Sequence, residues 1–510
     1  MAYKEVLTPA EEKFERWRKR CGFFLGPLVF LALYFLPIGL DDAPHRLTAV
    51  LGFVLVFWLT EAVPIPVTAV LGAVLNVILG VAPAQEVLSP FAHPLVFLFI
   101  GSFILANAIT FHGLDRRFAF AIFSIRGLQK SPRRVLFAFG AIVAMVSMWI
   151  SNTAATAMML PIALGVLTAM KEIEDRSDGG VAGGGLDFKR FSISMMLMVA
   201  YGASVGGIAT PIGTPPNLIG IGMIQQLAGV RITFFEWMVF AVPITSAMFI
   251  YLFFILGRTG ALRGVRLAGI DLYVQKARGE LGAWSRAEKN TALCFAVAVF
   301  LWVFPSVVGI IIGKDAEFAR FLDSRLNEGV VAILASTLLF VLPVDFRKGE
   351  FTMTWDRAVR IDWGTILLFG GGLSLGGLMF STGLAGHLGE FLMGFTGATR
   401  LWSITALGTA LAIILSETTS NTASANMVIP VMIAIAQGAG ISPLPPALGA
   451  CLGASFGFML PVSTPPNAIV YGSGYVPILA MVRKGILFDI GGFFLIIIGL
   501  MILCPIMGWV

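Results

Sequence analysis

Two stretches of this chain repeat a pair of short polar interruptions inside long apolar runs, and that duplication constrains the fold more than any other feature. Ser151-Asn152-Thr153 recurs as Ser420-Asn421-Thr422, and Thr214-Pro215-Pro216-Asn217 recurs as Thr464-Pro465-Pro466-Asn467, in the same order. The flanking sequence repeats as well. MWISNTAATAMMLPIALG (148–165) parallels ETTSNTASANMVIPVMIA (417–434), and YGASVGGIATPIGTPPNLIGIG (201–222) parallels LGASFGFMLPVSTPPNAIVYGS (452–473). A proline inside an apolar helix removes a donor and clashes with the preceding turn. Non-helical backbone at membrane depth is tolerated only where it is buried in protein or lines a cavity. Interrupted hydrophobic segments at matching places in two halves are the mark of a secondary transporter whose site lies between the breaks.

Composition fixes the solvent. Of 510 residues, 57% are hydrophobic and 13% charged, against the roughly half and quarter usual for soluble chains. With about 20 apolar residues needed per helical crossing, the chain has length for about a dozen. Its four cysteines, Cys21, Cys294, Cys451 and Cys504, are scattered, so neither a disulfide framework nor a cysteine metal site is indicated. The first apolar run, from Phe23 to Leu40, lacks a small-residue cleavage site and reads as a retained first helix.

The expected fold is an all-α polytopic membrane protein with about 11 transmembrane helices. It contains an inverted repeat, two re-entrant hairpins and two broken helices. The expected boundaries are a cytoplasmic N-terminal segment (1–21), scaffold helices (22–91) and a first repeat half (92–257) with hairpin 134–169 and broken helix 191–228. A cytoplasmic amphipathic linker (258–287) follows, then second-half helices (288–398), a second hairpin and broken helix (399–480) and a last transmembrane helix (486–510). With a cytoplasmic N-terminus and an external C-terminus, the cytoplasmic segments hold 29 of the 35 Lys and Arg, and the external ones hold Arg46, Arg231, Lys314, Arg320, Arg325 and Arg400. That asymmetry follows the positive-inside rule and accounts for the net charge of +6 without nucleic acid. It also opens the two hairpins to opposite sides, as an inverted repeat requires.

The chemistry follows from the interruptions. A half-helix beginning after Thr153 or Thr422 directs free N–H groups and a positive dipole end into the site, which binds carboxylate without lysine or arginine. Carbonyl oxygens freed at the breaks suit a hard cation such as sodium. Glu417 and Glu61 lie in or near apolar runs, where an acid is a functional candidate, with a paired structural role as the alternative. Asp362 reads as a helix cap. His45, His93, His112 and His387 are isolated, and the glycines at 370–372, 376 and 377 lack the Lys-Ser/Thr of a phosphate loop. No partnered nucleophile, acid pair or metal cluster supports an enzyme.

The twin Ser-Asn-Thr tips with the twin Thr-Pro-Pro-Asn breaks resemble the divalent anion/sodium symporter family, the INDY-like dicarboxylate and citrate carriers, over about residues 22–509. The resemblance implies a homodimer in the bacterial inner membrane, in which a transport domain moves against a scaffold domain by an elevator mechanism. It implies sodium-coupled symport of C4 dicarboxylates such as succinate, malate and fumarate. A sodium-independent dicarboxylate exchanger and a citrate or sulfate carrier remain open. It places Ser151, Asn152 and Thr153 on one substrate carboxylate, and Ser420, Asn421, Thr422, Thr464 and Pro465 around the other. One sodium would be held by Ser147, Ser151, Asn152 and the Gly213 carbonyl. A second would use Ser416, Thr419, Asn421 and the Ser463 carbonyl. It further implies amphipathic cytoplasmic segments near 112–130, 258–275 and 352–361.

Overall fold

The computed structural model describes residues 9–124, 131–176, 188–257, 278–396 and 400–510. The expected linker 258–287 and its amphipathic segment lie largely outside them. The described chain is helical throughout except for one small hairpin, Pro343–Asp345 paired antiparallel with Glu350–Phe351, an addition to the all-α expectation. It immediately precedes the expected amphipathic segment 352–361, where the helix is the single turn Trp355–Ala358.

By length and hydropathy, seven described helices can each cross a membrane, or eight when the bent pair Glu317–Arg325 and Glu328–Val341, at 57°, is taken as one span. The difference from about 11 has a physical reason. Ile65–Ile78 and Pro215–Ala228 have 14 residues each. At 1.5 Å per residue they reach about 21 Å, short of a hydrocarbon core of about 30 Å.

The elements that build the centre of the molecule are α1 (Phe188–Gly207), α2 (Pro215–Ala228), α3 (Leu444–Gly453) and α4 (Pro465–Tyr471), which flank the two proline breaks. Two further helix pairs lie against them: α5 (Pro132–Ser147) with α6 (Asn152–Arg176), and α7 (Leu401–Thr418) with α8 (Asn421–Gly438). The halves interlock. α1 packs against α5 and also against α4 of the other half, while α2 packs against α8 and α3. The last helix, α9 (Ile478–Ile506), begins at Ile478 rather than 486 and carries Arg483 and Lys484 within it. Its predecessor α4 ends at Tyr471, earlier than the expected 480.

Each interruption has a local cause. α5 stops at Ser147 and α6 starts at Asn152, with the Ser151 hydroxyl accepting from Ala154 N at 3.2 Å. In the second pair Ser420 is the N-cap of α8, accepting from Ala423 N at 3.2 Å. Such caps satisfy a donor that has no partner within the helix. At the other two breaks Thr214 (φ −146°, ψ 142°) and Thr464 (φ −145°, ψ 146°) are extended, each followed by two prolines that open the next helix. An extended residue before proline and proline in the first helical turn are both the preferred arrangement.

Candidate functional site

All four interruptions meet at one cavity of about 480 Å³. Its lining includes each residue expected to touch substrate: Ser151, Asn152, Thr153, Ser420, Asn421, Thr422, Thr464 and Pro465. Gly213 and Ser463 also line it, whereas Ser147, Ser416 and Thr419 lie behind the wall. The N-termini of α6 and α8 therefore open onto the same volume, as do the prolines that begin α2 and α4. Free amides and dipole ends from two helices, held apart by a volume of this size, suit an anion with two charged ends.

Behind each tip a serine fixes the asparagine. Ser147 Oγ donates to Asn152 Oδ1 at 2.7 Å, and Ser416 Oγ donates to Asn421 Oδ1 at 2.7 Å. Both serines are fully buried. With Oδ1 occupied, the amide nitrogen is the group each asparagine has left to donate. The asparagines of the two proline breaks act as backbone braces. Asn217 Nδ2 donates to the carbonyls of Gly207 (3.0 Å), Ile208 (3.2 Å) and Thr210 (2.7 Å), and Asn467 Nδ2 to those of Gly457 (2.8 Å) and Leu460 (3.0 Å).

The expected sodium ligands form neutral oxygen clusters. A methyl carbon built on Gly207 would meet Asn152 Oδ1 at 2.3 Å and the Gly213 carbonyl at 3.0 Å, so both oxygens crowd one point beside Ser147. At the second tip Asn421 Oδ1 lies 3.2 Å from the corresponding position on Gly457, and the one Ser416 hydroxyl proton is shared between Asn421 Oδ1 and the Ala454 carbonyl, 2.7 and 2.8 Å from Oγ. Hard cations take such oxygen donors. Thr419 differs from the rest. Its hydroxyl donates to the Trp58 carbonyl at 3.3 Å, on another helix, which leaves its backbone carbonyl as the oxygen available to an ion.

Glu417 and Asp489 emerge as a feature that only the fold creates. The Glu417 carboxylate accepts from Phe458 N at 2.5 Å, from Met459 N at 2.9 Å and from Ser463 Oγ at 2.8 Å. It therefore grips the backbone of the second break from behind. Facing it is the carboxyl of Asp489 on α9, 6% exposed and without an N–H donor among the described residues. Glu417 was visible in sequence as an acid in an apolar run. Asp489 was not singled out, and only its position inside the long apolar span of α9 marked it.

The remaining candidates are structural. Glu61 ends its helix in the left-handed region (φ 48°) and pairs with Arg18 at 3.4 Å. Asp362 caps the helix that starts at Trp363, accepting from Thr365 N at 3.1 Å, and it also lines the cavity. Arg360 lines the cavity as well and is the one cation among its described lining residues. Nothing in its surface-loop sequence context distinguishes it from other loop arginines.

Residues 18–510 match the family model described as the sodium:sulfate symporter transmembrane region. The sodium-dependent dicarboxylate transporter SdcS of Staphylococcus saprophyticus is 34% identical over 469 residues, covering 91% of this chain and 87% of that protein. SdcS of Staphylococcus aureus strain USA300 is 32% identical over 471 residues, with the same shares covered. The crystal structure of the Alcanivorax borkumensis YdaH transporter aligns over 97% of this chain and 98% of that one, with a TM-score of 0.56 and 13% identity. At that identity the likeness shows the fold alone. A match across nearly the whole chain, with relatives above 30% identity over nine-tenths of it, establishes that this polytopic membrane protein belongs to the sodium:sulfate symporter family, the divalent anion/sodium symporters, a family of transporters and not of enzymes.

Proposed function

We propose that this chain is a sodium-coupled symporter of C4 dicarboxylates such as succinate, malate and fumarate. One observation carries the reading: two Ser-Asn-Thr tips from distant parts of the chain face one cavity of about 480 Å³. Each tip offers a helix N-terminus with hydroxyl and amide donors, so one carboxylate docks at Ser151, Asn152 and Thr153 and the other at Ser420, Asn421, Thr422, Thr464 and Pro465. The names of the staphylococcal relatives, sodium-dependent dicarboxylate transporters, point the same way. A compact tetrahedral dianion such as sulfate would engage one tip and leave the other unpaired.

Sodium binds first, at Ser147, Ser151, Asn152 and the Gly213 carbonyl, and at Ser416, Asn421 and the carbonyls of Thr419 and Ser463. The ions order the asparagines and offset the dianion's charge. The loaded domain, built on the inverted repeat with its two re-entrant hairpins and two broken helices, then moves across the membrane against the scaffold by an elevator motion. The protein works as a homodimer in a bacterial inner membrane, with about 11 transmembrane helices counting broken and short ones, a cytoplasmic N-terminus and an external C-terminus. The inward sodium gradient drives accumulation.

The test is uptake of labelled succinate into proteoliposomes, with and without an inward sodium gradient, competed by malate, fumarate, citrate and sulfate. Uptake is expected to require sodium, to be competed by the C4 acids and to be lost in both Asn152→Ala and Asn421→Ala. Each removes a donor to a charged group, a loss of about 1.5–3 kcal/mol, or roughly ten- to hundredfold. Sodium-independent counterflow would replace symport with exchange, and undiminished uptake by both variants would remove the tips from the site.

A further inference from the structure

Three ion pairs join the helices of the tips and breaks to the helices outside them, and all three lie at one end of the molecule. α10 (Phe234–Gly257) packs against α1, α5 and α9, so it belongs with the body that carries the tips. Outside that body, α12 (Glu317–Arg325) and α13 (Glu328–Val341) both pack against α11 (Arg286–Ile312). Arg231, in the segment before α10, reaches Asp323 of α12 at 2.6 Å and Glu328 of α13 at 3.1 Å. In the reverse sense Lys314, in the segment after α11, donates to Glu236 of α10 at 2.7 Å. Between these pairs Ser306 Oγ donates to Thr233 Oγ1 at 3.2 Å, and the Phe234 and Trp302 rings stack with centroids 4.7 Å apart. Each partner is also anchored within its own body. Trp302 Nε1 donates to the Glu328 carbonyl at 3.0 Å, and Glu236 accepts from Thr233 N at 3.0 Å.

The pairs stand well away from the tips. Glu328 and Gly329 open α13, and Gly329 leaves no room for a side chain against the Pro94 carbonyl. Pro94 starts the helix Pro94–Phe111, whose other end brings Asn107 and Thr110 to the cavity, beside Arg360 and Asp362. At 1.5 Å per residue, Asn107 is about 20 Å along that helix from Pro94. The charges are also crossed. The tip-bearing body gives one cation to two acids and one acid to a cation, a pattern that fixes register between two surfaces. A slide of one body along the other by a helical turn carries every partner beyond hydrogen-bond reach. Partly exposed pairs of this kind are each weak, so the set biases a position without trapping it.

We propose that these crossed ion pairs form a latch that holds the tip-bearing body in the position seen here, with the cavity at the end away from them, and that the pairs part when the body moves. Arg231 is the main bolt, since it serves two acids at once. The inference rests on the elevator reading given above and adds to it the contact that sets the balance between the two end positions.

The full chain, in lipid nanodiscs with sodium and succinate, carries spin labels at Glu317→Cys on α12 and Val510→Cys beyond α9. Both positions are exposed, and Cys21→Ser removes the one native cysteine that is not buried. Labelled protein is diluted with unlabelled protein, so that double electron–electron resonance reads distances within one chain. The position seen here gives one distance and the moved body a second. In R231Q/K314Q the share of the second distance is expected to rise at least about threefold, whereas R231K/K314R, which keeps the charges, retains the wild-type shares. Choline chloride at about 1 M, where the screening length falls to about 3 Å, is expected to shift the wild type the same way and to leave R231Q/K314Q unmoved. A second distance whose share is equal in wild type and R231Q/K314Q, or that ignores salt in the wild type, overturns the latch and leaves the elevator reading standing. A single distance in every sample overturns both.

Discussion

The two halves of the site share their sequence motifs and differ in how the backbone behind them is held. In the first half α1 stays helical to Gly207, and its break is short, ending at Thr214. Three carbonyls there are gathered by Asn217, and the Thr210 hydroxyl donates to the Met148 carbonyl of the tip. In the second half α3 ends at Gly453, and the break runs to Thr464. The reason lies in Glu417, which stands where the first half has Met148. Its carboxylate takes the amides of Phe458 and Met459, and Ser416 takes the Ala454 carbonyl. Groups that would have continued the helix are spent on side chains instead. The same pair of motifs is thus braced by asparagine amides on both sides and, on the second side only, by a buried acid as well. The second break is therefore a longer segment, held by its asparagine and, in addition, by the Glu417 carboxyl.

The comparison can be broken most easily at the glycines behind the two asparagines. An added methyl at Gly207 meets Asn152 Oδ1 at 2.3 Å, with backbone behind it, whereas at Gly457 the nearest atom is a Thr464 methyl at 3.0 Å. Overpacking of this kind costs about 1–3 kcal/mol. Gly207→Ala is therefore expected to lower sodium-driven succinate uptake by roughly ten- to hundredfold, and Gly457→Ala by about threefold or less. Equal losses in the two variants would show that the tips tolerate crowding alike.

Glu417→Gln sharpens the contrast in charge. The amide oxygen still reaches the Phe458 and Met459 amides, but the charge is gone, a loss of about 1–2 kcal/mol in hydrogen bonding to a charged group. The sodium concentration for half-maximal uptake should rise about tenfold at saturating succinate, while Met148→Leu leaves it unchanged. A sodium dependence identical to wild type in Glu417→Gln would reduce the buried acid to packing.

The smallest expected effect is in the braces. Asn217→Ala removes hydrogen bonds to three carbonyls and Asn467→Ala to two. At about 1 kcal/mol each, both variants should unfold at lower temperature in detergent, Asn217→Ala by the wider margin. The reverse order would mean that the second break depends on its asparagine despite the Glu417 clamp.

Much of this was legible in the residues. Proline pairs, Ser and Thr caps and apolar periodicity act over a few neighbours, so the places where helices stop, the repeat and the family resemblance followed from local chemistry alone. Helix ends were less secure, as the start of the last helix at Ile478 shows, because Arg483 and Lys484 read as loop in sequence although the helix runs through them. Other features had no local signal. The turn of the Thr419 hydroxyl toward Trp58, the place of Arg360 at the cavity and the facing of Asp489 to Glu417 all join segments remote in the chain. Sequence by itself determined which backbone groups each half leaves unpaired. Only the tertiary structure decided where they meet and which side chains answer them, because contact between distant helices is set by packing of the whole core and not by any residue's own propensity.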